Sequence, residues 1–136
     1  MATSNSFRRR FDRRGAAAAE LALCLPLIVF LLLASLEACS MIFLDHSLTI
    51  ASYEGVRMAI NYDASNASVN NRINQIITER DVHGSQITIN PSNVANVKRG
   101  ERITVTVSAP CDNNAILPLW FYDGRTLTCS TTMVKE

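Results

Sequence analysis

Glycine and proline are scarce in this 136-residue chain, 5 and 4 residues respectively, and no period recurs along it. Repeat and solenoid architectures are thereby excluded. Net charge is almost absent, since 13 Lys and Arg stand against 12 Asp and Glu, and a balance of +1 offers no field to a polyanion; nucleic acid is not an expected partner. No glycine-rich loop could cradle a phosphate, and no Gly-x-Ser-x-Gly turn exposes a nucleophile. The two histidines, His46 and His83, lack ligand spacing to Cys, Asp or Glu, so neither a metal nor another cofactor is expected. No Cys-x-x-Cys motif occurs, which argues against a redox-active pair. An enzyme would need a chance convergence of scattered Ser, His and Asp, and none is expected.

One absence is constructive. Between Gly15 and Arg57 there is no Lys or Arg, and from Ala16 to Leu36 only Glu20 is charged. Those 21 residues, at about 1.5 Å each, make a helix of roughly 30 Å, the thickness of a bilayer's hydrocarbon core. In lipid the backbone must satisfy itself, so the run is expected to be helical despite Pro26, which removes one donor. Arg8, Arg9, Arg10, Arg13 and Arg14 all precede it, opposed only by Asp12. The positive-inside rule then puts residues 1–15 in the cytoplasm and the remainder outside.

This is not a secretory signal peptide, whose apolar core is shorter, about 7–15 residues. Leu36-Glu37-Ala38-Cys39 hints at a lipoprotein signal but sets Glu37 where a small or apolar residue belongs. Arg8-Arg9-Arg10-Phe11 loosely resembles a twin-arginine signal, against the simpler reading that these arginines set topology. Glu20 is the anomaly, because a carboxylate inside a membrane costs a few kcal/mol and asks for a partner. A cut after Gly15 would supply one: the new α-ammonium of Ala16 would stand one helical turn from Glu20, within one subunit or between neighbours. The alternative is a Glu that snorkels to the headgroups.

Arg13-Arg14-Gly15, the alanines that follow, Glu20, the Leu25-Pro26-Leu27 step and the long apolar helix resemble the N-terminus of the TadE-like family, minor pseudopilins of bacterial tight-adherence (Flp) pilus systems. Ala51-Ser52-Tyr53-Glu54-Gly55-Val56-Arg57-Met58-Ala59 is similar to that family's Arg-Glu-Gly-Ala-Arg type of motif, with Tyr53 in place of the first arginine. The stretch from Thr126 to Glu136 resembles the family's closing strand; Leu21 departs from the aromatic residue common after the glutamate. The resemblance implies a prepilin-like life: a prepilin peptidase cuts between Gly15 and Ala16, and Glu20 guides assembly of the mature subunit into, or at the base of, a pilus. The implied partners are that peptidase, other pilin or pseudopilin subunits, pilus assembly proteins and membrane lipid. Glu54, Gly55 and Arg57 become motif residues, and the implied location is the bacterial inner membrane, single-pass.

Met41, Leu44, Leu48, Ala51, Gly55, Ala59 and Tyr62 recur at three- and four-residue steps, which predicts that the helix continues amphipathically to about Ile60. That seam packs on the chain's own domain, on neighbouring subunits, or on both along different lengths. Ser68 is expected to cap a second helix with Val69, Ile73, Ile76, Ile77 and Arg80 on one face, ended by Gly84. Asn66-Ala67-Ser68 is formally a glycosylation sequon, equally a loop leading to that cap. The period then changes to two over 86–90, 103–108 and 126–134, read as strands separated by Pro91-Ser92-Asn93, Lys98-Arg99-Gly100 and Asp123-Gly124 turns. The class is α+β and pilin-like: a long N-terminal helix, one short helix and a small antiparallel sheet. The organisation is a leader 1–15, a span 16–36, an amphipathic continuation 37–62 and an outer domain 63–136.

Ile116 to Tyr122 is a further strand or a membrane-proximal loop, its aromatics expected in the core more than on a binding face. Cys24 and Cys39 are apolar fillers in or near the span. Cys111 and Cys129, separated by 17 residues in an oxidising compartment, are expected to bridge, stabilising by about 3 kcal/mol. Two function classes remain: a processed pseudopilin, or an unprocessed membrane-tethered domain that binds a partner.

Overall fold

A computed structural model of the chain describes residues 13–117 and 120–135. The basic leader with Arg8, Arg9 and Arg10, Pro118 and Leu119 of the apolar segment, and Glu136 lie outside the described residues. By its contacts the chain divides after Ser35 into two units.

The long helix α1 runs Arg13–Ala59, 47 residues with Pro26 inside it. In the first unit its residues from Gly15 on are almost all exposed, and the helix is long and apolar enough to cross a membrane. A helix that is apolar all round and buries nothing in its own chain is suited to lipid.

The second unit has a different logic. Met41, Leu44, Leu48, Ala51, Gly55 and Ala59 are buried, as their spacing predicts, and hold one face of α1 against the rest of the unit. Tyr62 breaks the pattern at 92% exposed, because α1 has ended and the chain has turned. Helix α2 spans Asn66–Glu79 and buries Val69, Ile73, Ile76 and Ile77. Its N-cap is Ser65, not Ser68: the Ser65 hydroxyl accepts from the Ser68 amide at 3.1 Å, and the Ser68 hydroxyl accepts from the Ser65 amide at 3.1 Å. Ser68 thus occupies the third position of a reciprocal box rather than the cap itself. The helix stops at Glu79, with Asp81 in the left-handed region at φ 54°, so Gly84 lies past the end rather than making it.

Three strands follow, β1 Gln86–Asn90, β2 Arg102–Pro110 and β3 Thr126–Val134, in one antiparallel sheet of order β1-β2-β3. The register sets Ile87 opposite Val107, Val107 opposite Cys129, and Ile103 opposite Met133. Alternation explains the packing: Ile103, Val105, Val107 and Ala109 of the central strand are buried, while Thr104 and Thr132 pair hydroxyls at 2.8 Å on the other face. The core lies where that apolar face meets Leu44, Leu48 and Val56 of α1 and Val69 and Ile73 of α2.

Two side-chain anchors complete the unit. Asn66 of the formal sequon receives the Val94 amide at 2.9 Å and donates to the Ser92 carbonyl. Lys135, buried after β3, donates to the Val94 carbonyl at 2.9 Å.

Candidate functional site

The Glu54-Gly55-Arg57 triplet sits in the last turns of α1, at its meeting with α2. The Glu54 carboxylate lies 3.5 Å from the Arg57 guanidinium and 3.1 Å from that of Arg72 on α2. It is therefore a two-armed bridge, one arm within α1 and one across to the neighbouring helix. Gly55 faces the core. A Cβ added there would stand 2.6 Å from Ile73 Cδ1, 2.7 Å from Ile73 Cγ1 and 3.2 Å from Val105 Cγ1. The residue lets α1 approach both α2 and the sheet more closely than any side chain permits. The motif's geometry is that of a structural junction.

Gly15, Ala16 and Glu20 lie in the first turns of α1, all exposed. A side chain on Gly15 would meet nothing within 4 Å. Ala16 and Glu20 are one helical turn apart on the same face, the separation a terminal ammonium at residue 16 would need to reach the carboxylate.

The expected disulfide is not formed. Cys129 stands opposite Val107, while Cys111 donates its amide to the Arg125 carbonyl at 2.8 Å. The two cysteines are thus four residues out of register, about 13 Å along the ladder, against the roughly 7 Å beyond which Cα atoms cannot be bridged. Both are free thiols, Cys111 buried and Cys129 half-buried. Burial pushes the Cys111 thiol up in pKa, and nearby Asp112 adds to that. Burial also raises Cys129, whose sulfur lies 3.4 Å from Thr49 Oγ1 and 3.4 Å from Asp45 Oδ1; the Thr49 bond offsets part of the rise and Asp45 adds to it.

Of the apolar segment, the described residues 116, 117 and 120–122 lie in no strand, and two of its aromatics are not core: Trp120 is 69% and Phe121 54% exposed. What holds this loop is a residue that sequence reasoning noted only as ill-suited to a lipoprotein signal. Glu37, 6% exposed, accepts the amides of Trp120, Phe121 and Tyr122 on one oxygen, Oε1, at 3.1, 2.8 and 3.1 Å. A lone acid closing an apolar run is a weak signal, and its partners lie 83–85 residues away. Among the described residues, no group of three His, Cys, Asp or Glu is placed to hold a metal.

A helix long and apolar enough to cross a membrane, followed along the chain by a small α+β unit with a Glu-Gly-x-Arg junction, is the build of a single-pass membrane protein. The model of the TadE-like protein family matches residues 15–57, which runs from the glycine at the foot of the apolar helix to the arginine of the triplet. The chain carries the TadE-like region its sequence resembles, and this family is a structural, pilus-associated one. That region with its apolar helix fits a membrane protein associated with the tight-adherence pilus. No curated protein and no solved structure matches the chain.

Proposed function

We propose that the chain is a prepilin-like minor pseudopilin of the bacterial inner membrane, cut between Gly15 and Ala16 by a prepilin peptidase and taking part in assembly of a tight-adherence pilus or secretion apparatus. The N-terminus faces the cytoplasm, where five arginines precede the span, and the outer unit lies beyond the membrane.

The observation that carries this reading is the second face of α1. Opposite the buried seam, Leu36, Phe43 and Ile50 recur every seven residues, interleaved with Cys39, His46 and Tyr53, and all six are exposed. Beyond the span, where no lipid rewards it, a monomer gains nothing by leaving Phe43 56% and Tyr53 48% exposed in this register. The spacing is that of a helix presenting knobs to a second helix. Family membership of residues 15–57 supports a pilin or pseudopilin helix as the partner. Glu20 then serves docking: paired with the α-ammonium of Ala16, in its own or a neighbouring subunit, it makes entry of the mature N-terminus into an assembly favourable in lipid, where either charge alone is costly.

Intact-mass measurement of protein from cells bearing the cognate peptidase tests the cut. Loss of residues 1–15 supports the pseudopilin, and a full-length product supports an unprocessed tethered domain. Glu20→Gln should leave insertion intact, because an amide costs less in lipid than a carboxylate, and should impair assembly. Normal levels of functional pili in that strain would refute the pairing. Gly15→Leu should leave uncut protein in the membrane.

A further inference from the structure

Glu37 follows directly on Leu36, the last residue of the apolar run. Three successive backbone amides converge on its Oε1, an anion-holding nest closed by charge-assisted hydrogen bonds. By chain connectivity, wherever Leu36 sits in the bilayer, the peptide edge of residues 120–122 is held within a side chain's length of that level.

The peptides turn toward Glu37, Tyr122 is half-buried, and the neighbouring apolar side chains stay largely exposed. Trp120, the chain's single tryptophan, is 69% exposed, Phe121 54% and Ile116 79%. Arg125 is exposed and stacks its guanidinium over the Tyr122 ring at 5.8 Å. The loop is braced from the far side as well: Asp112 Oδ1 accepts the Gly124 amide at 3.0 Å, and Asn114 donates to the carbonyls of Pro110 at 2.8 Å and His83 at 2.9 Å. An exposed patch of this composition on a braced loop is displayed by the fold.

The geometry points to an interfacial anchor: Glu37 clamps the loop so that Trp120, Phe121 and Arg125 lie in the phospholipid headgroup layer of the bilayer that α1 crosses. The occupant follows from continuity with the span, since the clamp is fastened at the first residue beyond it. Chemistry agrees. Indole and phenyl rings settle at the headgroup level, where an apolar body and a polar edge are both satisfied, and a guanidinium matches the phosphate oxygens there. The anchor sets the depth of α1 from the outer side, as the arginines do from the other. It rests on the reading of α1 as a membrane span.

The single tryptophan makes the test direct. Full-length protein is reconstituted into phosphatidylcholine–phosphatidylglycerol vesicles, and Trp120 emission is measured with spin-labelled lipids carrying the quencher near the headgroup or deep in the acyl chain. The expected result is blue-shifted emission, quenched most by the shallow label. In Glu37→Gln the charge-assisted nest is lost, so most of the shallow quenching should go and the emission should move to the red, while the protein still floats with the vesicles. Water-like emission of floated wild-type protein, strongest quenching by the deep label, or a Glu37→Gln profile identical to wild type would each overturn the anchor. Failure of the wild type to float overturns the span itself and the anchor with it, so the two failures are distinguishable.

Discussion

Replacing Gly55 by alanine sets two known quantities against each other. Alanine in a helix interior is favoured over glycine by about 1 kcal/mol, so at an open position the change stabilises. Here the new methyl would stand 2.6 and 2.7 Å from two carbons of Ile73 and 3.2 Å from Val105, both fully buried. Ile73 cannot swing aside without displacing its own neighbours, and overpacking of this kind costs about 1–3 kcal/mol. The balance is a net loss of about 1 kcal/mol for Gly55→Ala, a fall of roughly 4–8 °C in Tm for a unit of this size. Gly55→Val, with two more carbons in the same space and less helix preference to offset them, should lose about 3 kcal/mol. The assay is thermal unfolding of the full chain in a mild detergent, followed by the sheet signal in far-ultraviolet circular dichroism. Combining Gly55→Ala with Ile73→Val, which returns one methyl's volume, should cost less than the sum of the two single changes by at least about 0.5 kcal/mol. Gly55→Ala with a Tm equal to or above that of the wild type would show that helix preference wins and that the close approach has been misread.

Four further outcomes are expected. Cys111 and Cys129 should be recovered as free thiols and alkylate slowly in the folded protein, because burial disfavours their thiolates; an interpeptide disulfide in mass spectrometry would contradict the register. Since their folded pKa values lie above the unfolded ones, their contribution to stability is complete below the ordinary thiol pKa and is lost as pH rises toward the folded values, which denaturant melts across alkaline pH would show. Arg72→Ala should cost only about 0.2–1 kcal/mol by urea unfolding, because the Glu54–Arg72 pair is partly solvated and Glu54 keeps Arg57. A reporter active only outside the cytoplasm, fused after Glu136, should be active; activity of a cytoplasmic reporter there would reverse the assigned orientation.

The parts of the fold that are legible in the sequence are those set by local periodicity. The 3–4 seam from Met41 to Ala59 and the alternations over 86–90 and 126–134 reappear as a buried helix face and as strands with those bounds, because burial of one face writes its period into the chain. The central strand runs longer than its apolar alternation, Arg102–Pro110, since pairing with β3 carries the ladder past the last valine. The cap moved from Ser68 to Ser65 because both are serines three apart and only the backbone turn decides which is outside the helix. Relations between distant residues were not legible. Spacing in sequence says nothing of register, so two cysteines flanking one connection looked bridgeable and are not. The nest at Glu37 is likewise invisible from either end, and without it the aromatics of 120–122 read as core. Gly55 was visible as a motif residue, and its reason became visible only when Ile73 and Val105 were placed beside it.

The first-made helix is finished by the last-made strand. Ser52 of α1, fully buried, shares a 2.8 Å hydrogen bond with Thr131 of β3, 79 residues later, and Thr49 meets Cys129 across 80. At a synthesis rate of about 5–20 residues per second, roughly 4–16 s pass between the emergence of the two partners. Through that interval the face bearing Leu44, Leu48 and Ala51 exists without the sheet that will cover it. Until translation reaches β3, the helical half of the second unit therefore carries an uncovered apolar face, the kind of surface that chaperones bind. Any event that stalls the ribosome or clips the chain before Thr126 leaves a membrane-inserted helix with an adhesive flank, the form that quality-control proteases would meet first.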